Sequence, residues 1–134
     1  MNKLIVELSI FSENIHYDQI SDILGLKYDK YCKKGGKIND SKVGAINDEF
    51  IWVKNSGVKH SEEDLNKHII GLINIFNKLK DKLIILKNNG CRFQIAVIYY
   101  YYGNNPGLNI DNKNLGELWN LGIDIDFDIY SLSD

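Results

Sequence analysis

The segment Ile123-Asp124-Ile125-Asp126-Phe127-Asp128-Ile129-Tyr130 sets an acid at every second position between large apolar residues. Side chains of a β-strand alternate between its two faces, so this run belongs in a sheet with one face covered and the other in water. A sheet buried on both faces needs nearly continuous apolar strands, and the pattern therefore speaks against a doubly wound parallel sheet. Two other segments obey the same period. Leu4, Val6, Leu8 and Ile10 alternate with Ile5, Glu7, Ser9 and Phe11, and Phe93, Ile95, Val97, Tyr99 and Tyr101 alternate with Gln94, Ala96, Ile98, Tyr100 and Tyr102. Ala45 to Lys54, with its Phe50-Ile51-Trp52-Val53 run, is expected as a further strand, and Leu108 to Ile110 as a short one.

The covering layer is legible as helices. Leu65, Ile69, Leu72, Phe76 and Leu79 recur at 4-3-4-3 spacing, an apolar stripe about 21 Å long at 1.5 Å per residue. Ser61 with Glu62, Glu63 and Asp64 behind it is expected to cap this helix, its acids favouring the positive helix end. Leu83 and Leu86 prolong the rhythm, so the helix either extends or breaks and restarts before Asn88-Asn89-Gly90. A heptad stripe this short suits a helix laid on a sheet better than a coiled coil. Two short helices are expected elsewhere, Asp18 to Leu24 stopped by Gly25, and one carrying Leu115, Leu118, Trp119 and Leu121 stopped by Gly122. Residues 27 to 44 read as a long polar loop, with a short hairpin around Gly35-Gly36. The expected architecture is α+β, with a single mainly antiparallel or mixed sheet of four to five strands and helices on one face, in the order β-α-β-α-β-α-β. With 134 residues the chain is expected to form a single domain over residues 1–134.

A net charge of −2 and a pI near 5.9 supply no general attraction to nucleic acid or to an anionic membrane surface. Glu7 interrupts the apolar run at the N-terminus after three residues, too early for a secretory leader, and no segment approaches the length of a membrane span. Cys32 and Cys91 stand 59 positions apart without metal-ligand spacing and read as two reduced thiols. The chain is expected to be cytoplasmic. Ile, Asn and Lys supply 51 of the 134 residues beside a single Arg, a bias that fits an A/T-rich bacterial genome.

No phosphate-binding loop, GxGxxG or GxSxG pattern is present, and Gly35-Gly36-Lys37 lacks the flanking residues of a P-loop. His60 and His68 lie about 12 Å apart along a helix and cannot share a metal. These two and His16 are expected as surface or capping residues, so no catalytic residue, metal site or cofactor is assigned. Two features carry candidate function. Asp124, Asp126 and Asp128 project from one strand face about 6 to 7 Å apart. They could form a solvated face, a surface for a basic partner, or a divalent-ion site with help from Glu7. Lys27 to Lys37 interleaves five lysines with Tyr28 and Tyr31, as single-strand nucleic-acid binders do, although a solvated loop explains it equally and the acidic total opposes it.

Glu7-Leu8-Ser9-Ile10, Ile23-Leu24-Gly25, Lys34-Gly35, Trp52, Val97-Ile98-Tyr99-Tyr100-Tyr101, Leu121-Gly122-Ile123 and Phe127-Asp128-Ile129-Tyr130 together resemble a bacterial domain-of-unknown-function family of small stand-alone α+β proteins. The resemblance spans roughly residues 4 to 130 and implies no enzymatic activity. Families of this kind often occur among immunity proteins that neutralise toxins of neighbouring bacteria, an analogy of gene class. The nuclease and pore toxins they block are often basic. The expected function is accordingly that of a non-enzymatic, immunity-type binding protein with a protein partner, working without cofactor. Its surface would comprise Tyr100, Tyr102, Asp124, Asp126, Asp128 and Glu7, with Tyr99 and Tyr101 turned inward, where their hydroxyls need partners. The alternative is a small enzyme or ligand-binding domain with a cleft near residues 27–44.

Overall fold

The computed structural model describes residues 1–35 and 48–132. Its strands are β1 (Lys3–Ser12), β2 (Lys30–Cys32), β3 (Phe50–Asn55), β4 (Arg92–Tyr102) and β5 (Ile123–Leu132). Its helices are α1 (Tyr17–Leu24), α2 (Leu65–Phe76), α3 (Lys80–Asn88) and α4 (Asn112–Leu121). The strands form one mixed sheet in the order β2-β3-β1-β4-β5. β1 is antiparallel to both β3 and β4, β2 is antiparallel to β3, and β5 runs parallel to β4 after the α4 crossover. This is the α+β class with a mixed sheet that the alternating strands imply.

The alternation sets the core. Leu4, Val6, Leu8 and Ile10 of β1 and Phe93, Ile95, Val97 and Tyr99 of β4 are buried together with Leu65, Ile69, Leu72, Phe76, Leu83 and Leu86 of the helices. Trp52 of β3, fully buried, donates its indole N–H to Ser21 Oγ of α1 at 2.9 Å. One 3-10 turn, Asn77–Leu79, separates α2 from α3, so the apolar stripe breaks and restarts and leaves Leu79 half-buried. Gly71 lets α2 come close to the segment after β3: a Cβ there would stand 2.6 Å from the carbonyl oxygen of Ser56. Gly25 and Gly122 end α1 and α4 in left-handed conformation, at φ 65° and 70°, where glycine carries no Cβ penalty.

Several boundaries differ from the sequence reading. The cap of α2 is Asp64, which accepts from Asn66 N at 3.0 Å, and not Ser61. Glu62 and Glu63 lie ahead of the first turn, Glu62 paired with Lys67 and Glu63 accepting from Tyr99. The tripeptide β2, read as loop, is an edge strand too short for any periodicity to reveal. Leu108 to Ile110 is irregular, because the side chain of Asn66 serves its backbone: Asn66 Nδ2 donates to Asn109 O at 3.2 Å, and Asn66 Oδ1 accepts from Asp111 N at 2.8 Å. β3 begins at Phe50; the expected strand start at Ala45 and the Gly36 half of the proposed hairpin lie outside the described residues. In α4 the inward face is Asn114, Leu118 and Leu121 at 4-3 spacing, which leaves Leu115 45 % and Trp119 82 % exposed.

Candidate functional site: the helix-free sheet face

All helices lie against the face bearing Leu4, Ile95 and Trp52, so the opposite face carries the other parity of each strand. Register fixes its rows. Across β1, β4 and β5 they run Ser9, Gln94, Asp124; then Glu7, Ala96, Asp126; then Ile5, Ile98, Asp128; then Lys3, Tyr100, Tyr130. Tyr100 and Tyr130 stack with ring centroids 5.1 Å apart at 16°. Tyr102 follows at the end of β4, 40 % exposed, with its backbone N–H held by Asn2 Oδ1 at 2.8 Å. Asp124, Asp126 and Asp128 are all exposed, and none takes part in an ion pair among the described residues. The result is an aromatic and aliphatic strip, Ile5, Ile98, Tyr100 and Tyr130, bordered along its outer side by carboxylates.

Five of the six expected surface residues meet there: Tyr100, Tyr102, Asp124, Asp126 and Asp128. Glu7 shares the face but not the strip. Because β4 intervenes between β1 and β5, Ala96 separates Glu7 from Asp126, and two strand spacings amount to about 10 Å. Glu7 is 7 % exposed and pairs with Lys30 Nζ at 2.8 Å, the lysine reaching over β3. It therefore supports neither the aspartate row nor a divalent ion shared with it. Among the described residues no three His, Cys, Asp or Glu side chains stand together as a metal set. Sequence reasoning missed Tyr130, although it has the parity of Asp124, Asp126 and Asp128; its stacking on Tyr100 follows from the parallel β4–β5 register.

Tyr99 points inward, as its parity demands, and its hydroxyl donates to Glu63 Oε1 at 2.5 Å while Asn2 Nδ2 donates to the same oxygen at 2.8 Å. Burial, reinforced by the bond to Glu63, pushes the Tyr99 phenol up to about 12. The hydrogen bonds from Tyr99 and then Asn2 hold Glu63 below the usual carboxylate range. A phenol with a raised folded-state pKa stabilises fully below its unfolded value near 10, and this contribution is lost as pH rises through about 12. Urea midpoints are thus expected to fall across that window, and to fall less in Tyr99→Phe; equal slopes would remove Tyr99 as the source.

The remaining polar clusters are structural. His68, expected at the surface, is fully buried. Its Nε2 lies 2.7 Å from Glu62 O, a pure acceptor, so Nε2 carries the proton and Nδ1 accepts from Ser56 Oγ at 2.9 Å. This resembles a base–nucleophile pair, yet both members are buried, and it ties the segment after β3 to α2. His16 caps α1 by accepting from Asp18 N at 3.1 Å, and His60 is exposed. The tyrosines of the basic segment serve packing: Tyr31 stacks on Tyr17 at 4.2 Å and Tyr28 meets it edge-on at 5.6 Å. Lys30 is engaged by Glu7, and Lys34 donates to Glu13 O. Cys32 is exposed on β2, while burial pushes the Cys91 thiol up.

Two clefts lie on the helical side. One of about 210 Å³ between α3 and α4 has Leu83, Ile84, Phe93 and Trp119 in its lining. Small-molecule sites run from about 300 to 1,000 Å³, so it is undersized for a whole ligand. A more polar one of about 340 Å³ lies between α2 and α4, lined by Asn74, Asp111 and Glu117 among others. The described residues of the 27–44 segment line neither, and residues 36–44 lie outside the described part. No helix among the described residues is long and apolar enough to cross a membrane.

A five-stranded mixed sheet with one helical layer and an acidic, tyrosine-bearing open face defines a small α+β domain whose most distinctive surface is that face. A family model for a domain of unknown function, DUF4279, matches residues 2–132, and the chain belongs to that family. No curated protein and no solved structure matches it.

Proposed function

We propose that this is a non-enzymatic binding protein of the bacterial cytoplasm, an immunity-type inhibitor that neutralises a toxin by protein–protein contact through the open face of β4 and β5. The observation that carries this reading is the strip itself: exposed and half-exposed tyrosines at its centre, and along its rim three exposed aspartates that form no ion pair among the described residues. Tyrosine supplies large contact area at low entropic cost, and acids around it steer a basic protein while adding little affinity. The immunity role rests on analogy of gene class and the basic partner on charge complementarity. Immunity genes follow their toxins, so the product of the gene immediately upstream is the partner to test. The purified pair is expected to associate with a rate that falls as salt rises. Asp126→Asn with Asp128→Asn should slow association and flatten that dependence, leaving dissociation nearly unchanged. Association indifferent to salt and to both substitutions would overturn the assignment of the acidic rim.

A further inference from the structure

β5 is the terminal strand of the sheet, ten residues long, and no strand pairs with its outer edge among the described residues. The other edge is blunt: β2 has three residues and a lysine, two devices by which proteins protect unpaired edges. β5 has no Pro, Gly or Lys. On its helical side only Ile123 is buried and Ile125 half-buried, while Phe127 and Ile129 stay 44 % and 47 % exposed. On its open side Tyr130 is 48 % exposed. Large apolar side chains beside a row of unpaired backbone donors and acceptors form a template for a further strand.

The charge pattern decides what that strand is. In a two-fold antiparallel pairing with a second copy centred on Asp126, directly opposite residues share a face, so the aspartate row would meet itself; like charges opposite one another destabilise a sheet. We propose that β5 takes up an extended segment of a protein partner with alternating basic and apolar residues. Basic side chains repeating about every 6 to 7 Å would each meet Asp124, Asp126 or Asp128, and the apolar ones would cover Phe127 and Ile129. This rests on the reading above that the partner is a protein engaged at β4 and β5, and adds the mode of engagement.

The full chain is titrated with a fluorescent peptide of alternating Lys and Val, followed by anisotropy. The alternating peptide is expected to bind at least about tenfold more tightly than one of the same composition in scrambled order. Only every second N–H of an added strand points at its neighbour, so N-methylation at one parity should abolish binding and at the other spare it. Should scrambled and N-methylated peptides bind as well as the alternating one, all weakened by Tyr100→Ala, face binding stands and strand addition falls. Failure of every peptide also overturns strand addition, while the upstream gene product judges the wider reading separately. Sedimentation showing a dimer that the peptide does not dissociate would assign the edge to a second copy instead.

Discussion

Phe76→Ala is expected to destabilise the domain by about 3 to 5 kcal/mol, the range for deleting a fully buried aromatic ring and leaving its cavity. Phe76 closes α2 with no exposure to solvent and meets Trp52 edge-on, ring centroids 6.1 Å apart at 82°. Trp52 is anchored in turn by Ser21, so the cavity would open where α1, α2 and β3 converge. Asn74→Ala, exposed two residues earlier on the same helix, should stay within about 0.5 kcal/mol. Urea melts of both variants measure the contrast, and equal losses would refute a helix laid on the sheet by this stripe.

The parts of the fold legible in the sequence are those where a period runs long enough to average out local exceptions. β4 alternates in burial from Arg92 to Tyr100, β5 alternates apolar with acidic residues from Ile123 to Ile129, and the stripe of α2 restarts in α3 after a 3-10 interruption. What stayed hidden is set by partners remote in sequence. Asp64 rather than Ser61 caps α2 because Glu63 belongs to Tyr99, 36 residues away. β2 exists because Lys30 to Cys32 find β3. The short helix carrying Leu115, Leu118, Trp119 and Leu121 is legible as a helix, but its apolar residues divide: Leu118 and Leu121 face inward, while Leu115 and Trp119 lie on the outer side of α4.

The candidate face divides along the same line. Which residues share a face follows from parity alone, so Tyr100, Tyr102 and the three aspartates could be grouped in advance. Which strands are neighbours does not follow from parity. Parity therefore sets Glu7 on the face of the aspartates without showing that β4 separates them, and sets Tyr130 there without showing that it stacks on Tyr100. Strand order is a property of the whole chain, with loop lengths and helix packing choosing among arrangements that bury the same rows.

Tyr100→Ala carries the largest expected effect on binding, a loss of at least about 2 kcal/mol with folding intact. The ring lies half-exposed between the aliphatic Ile5–Ile98 row and the Tyr130 ring, so truncation removes the centre of the strip and the support of its neighbour at once. It leaves the buried face untouched. The matching control is Trp119→Ala, which deletes the most exposed aromatic ring of the opposite, helical side. Calorimetric titration of the upstream gene product into wild type and both variants tests the central claim most directly. The account predicts that Tyr100→Ala weakens binding by about thirtyfold or more while Trp119→Ala binds as the wild type does. Full-strength binding by Tyr100→Ala, with the loss falling on Trp119→Ala, would contradict it and move the interface to the α3–α4 side.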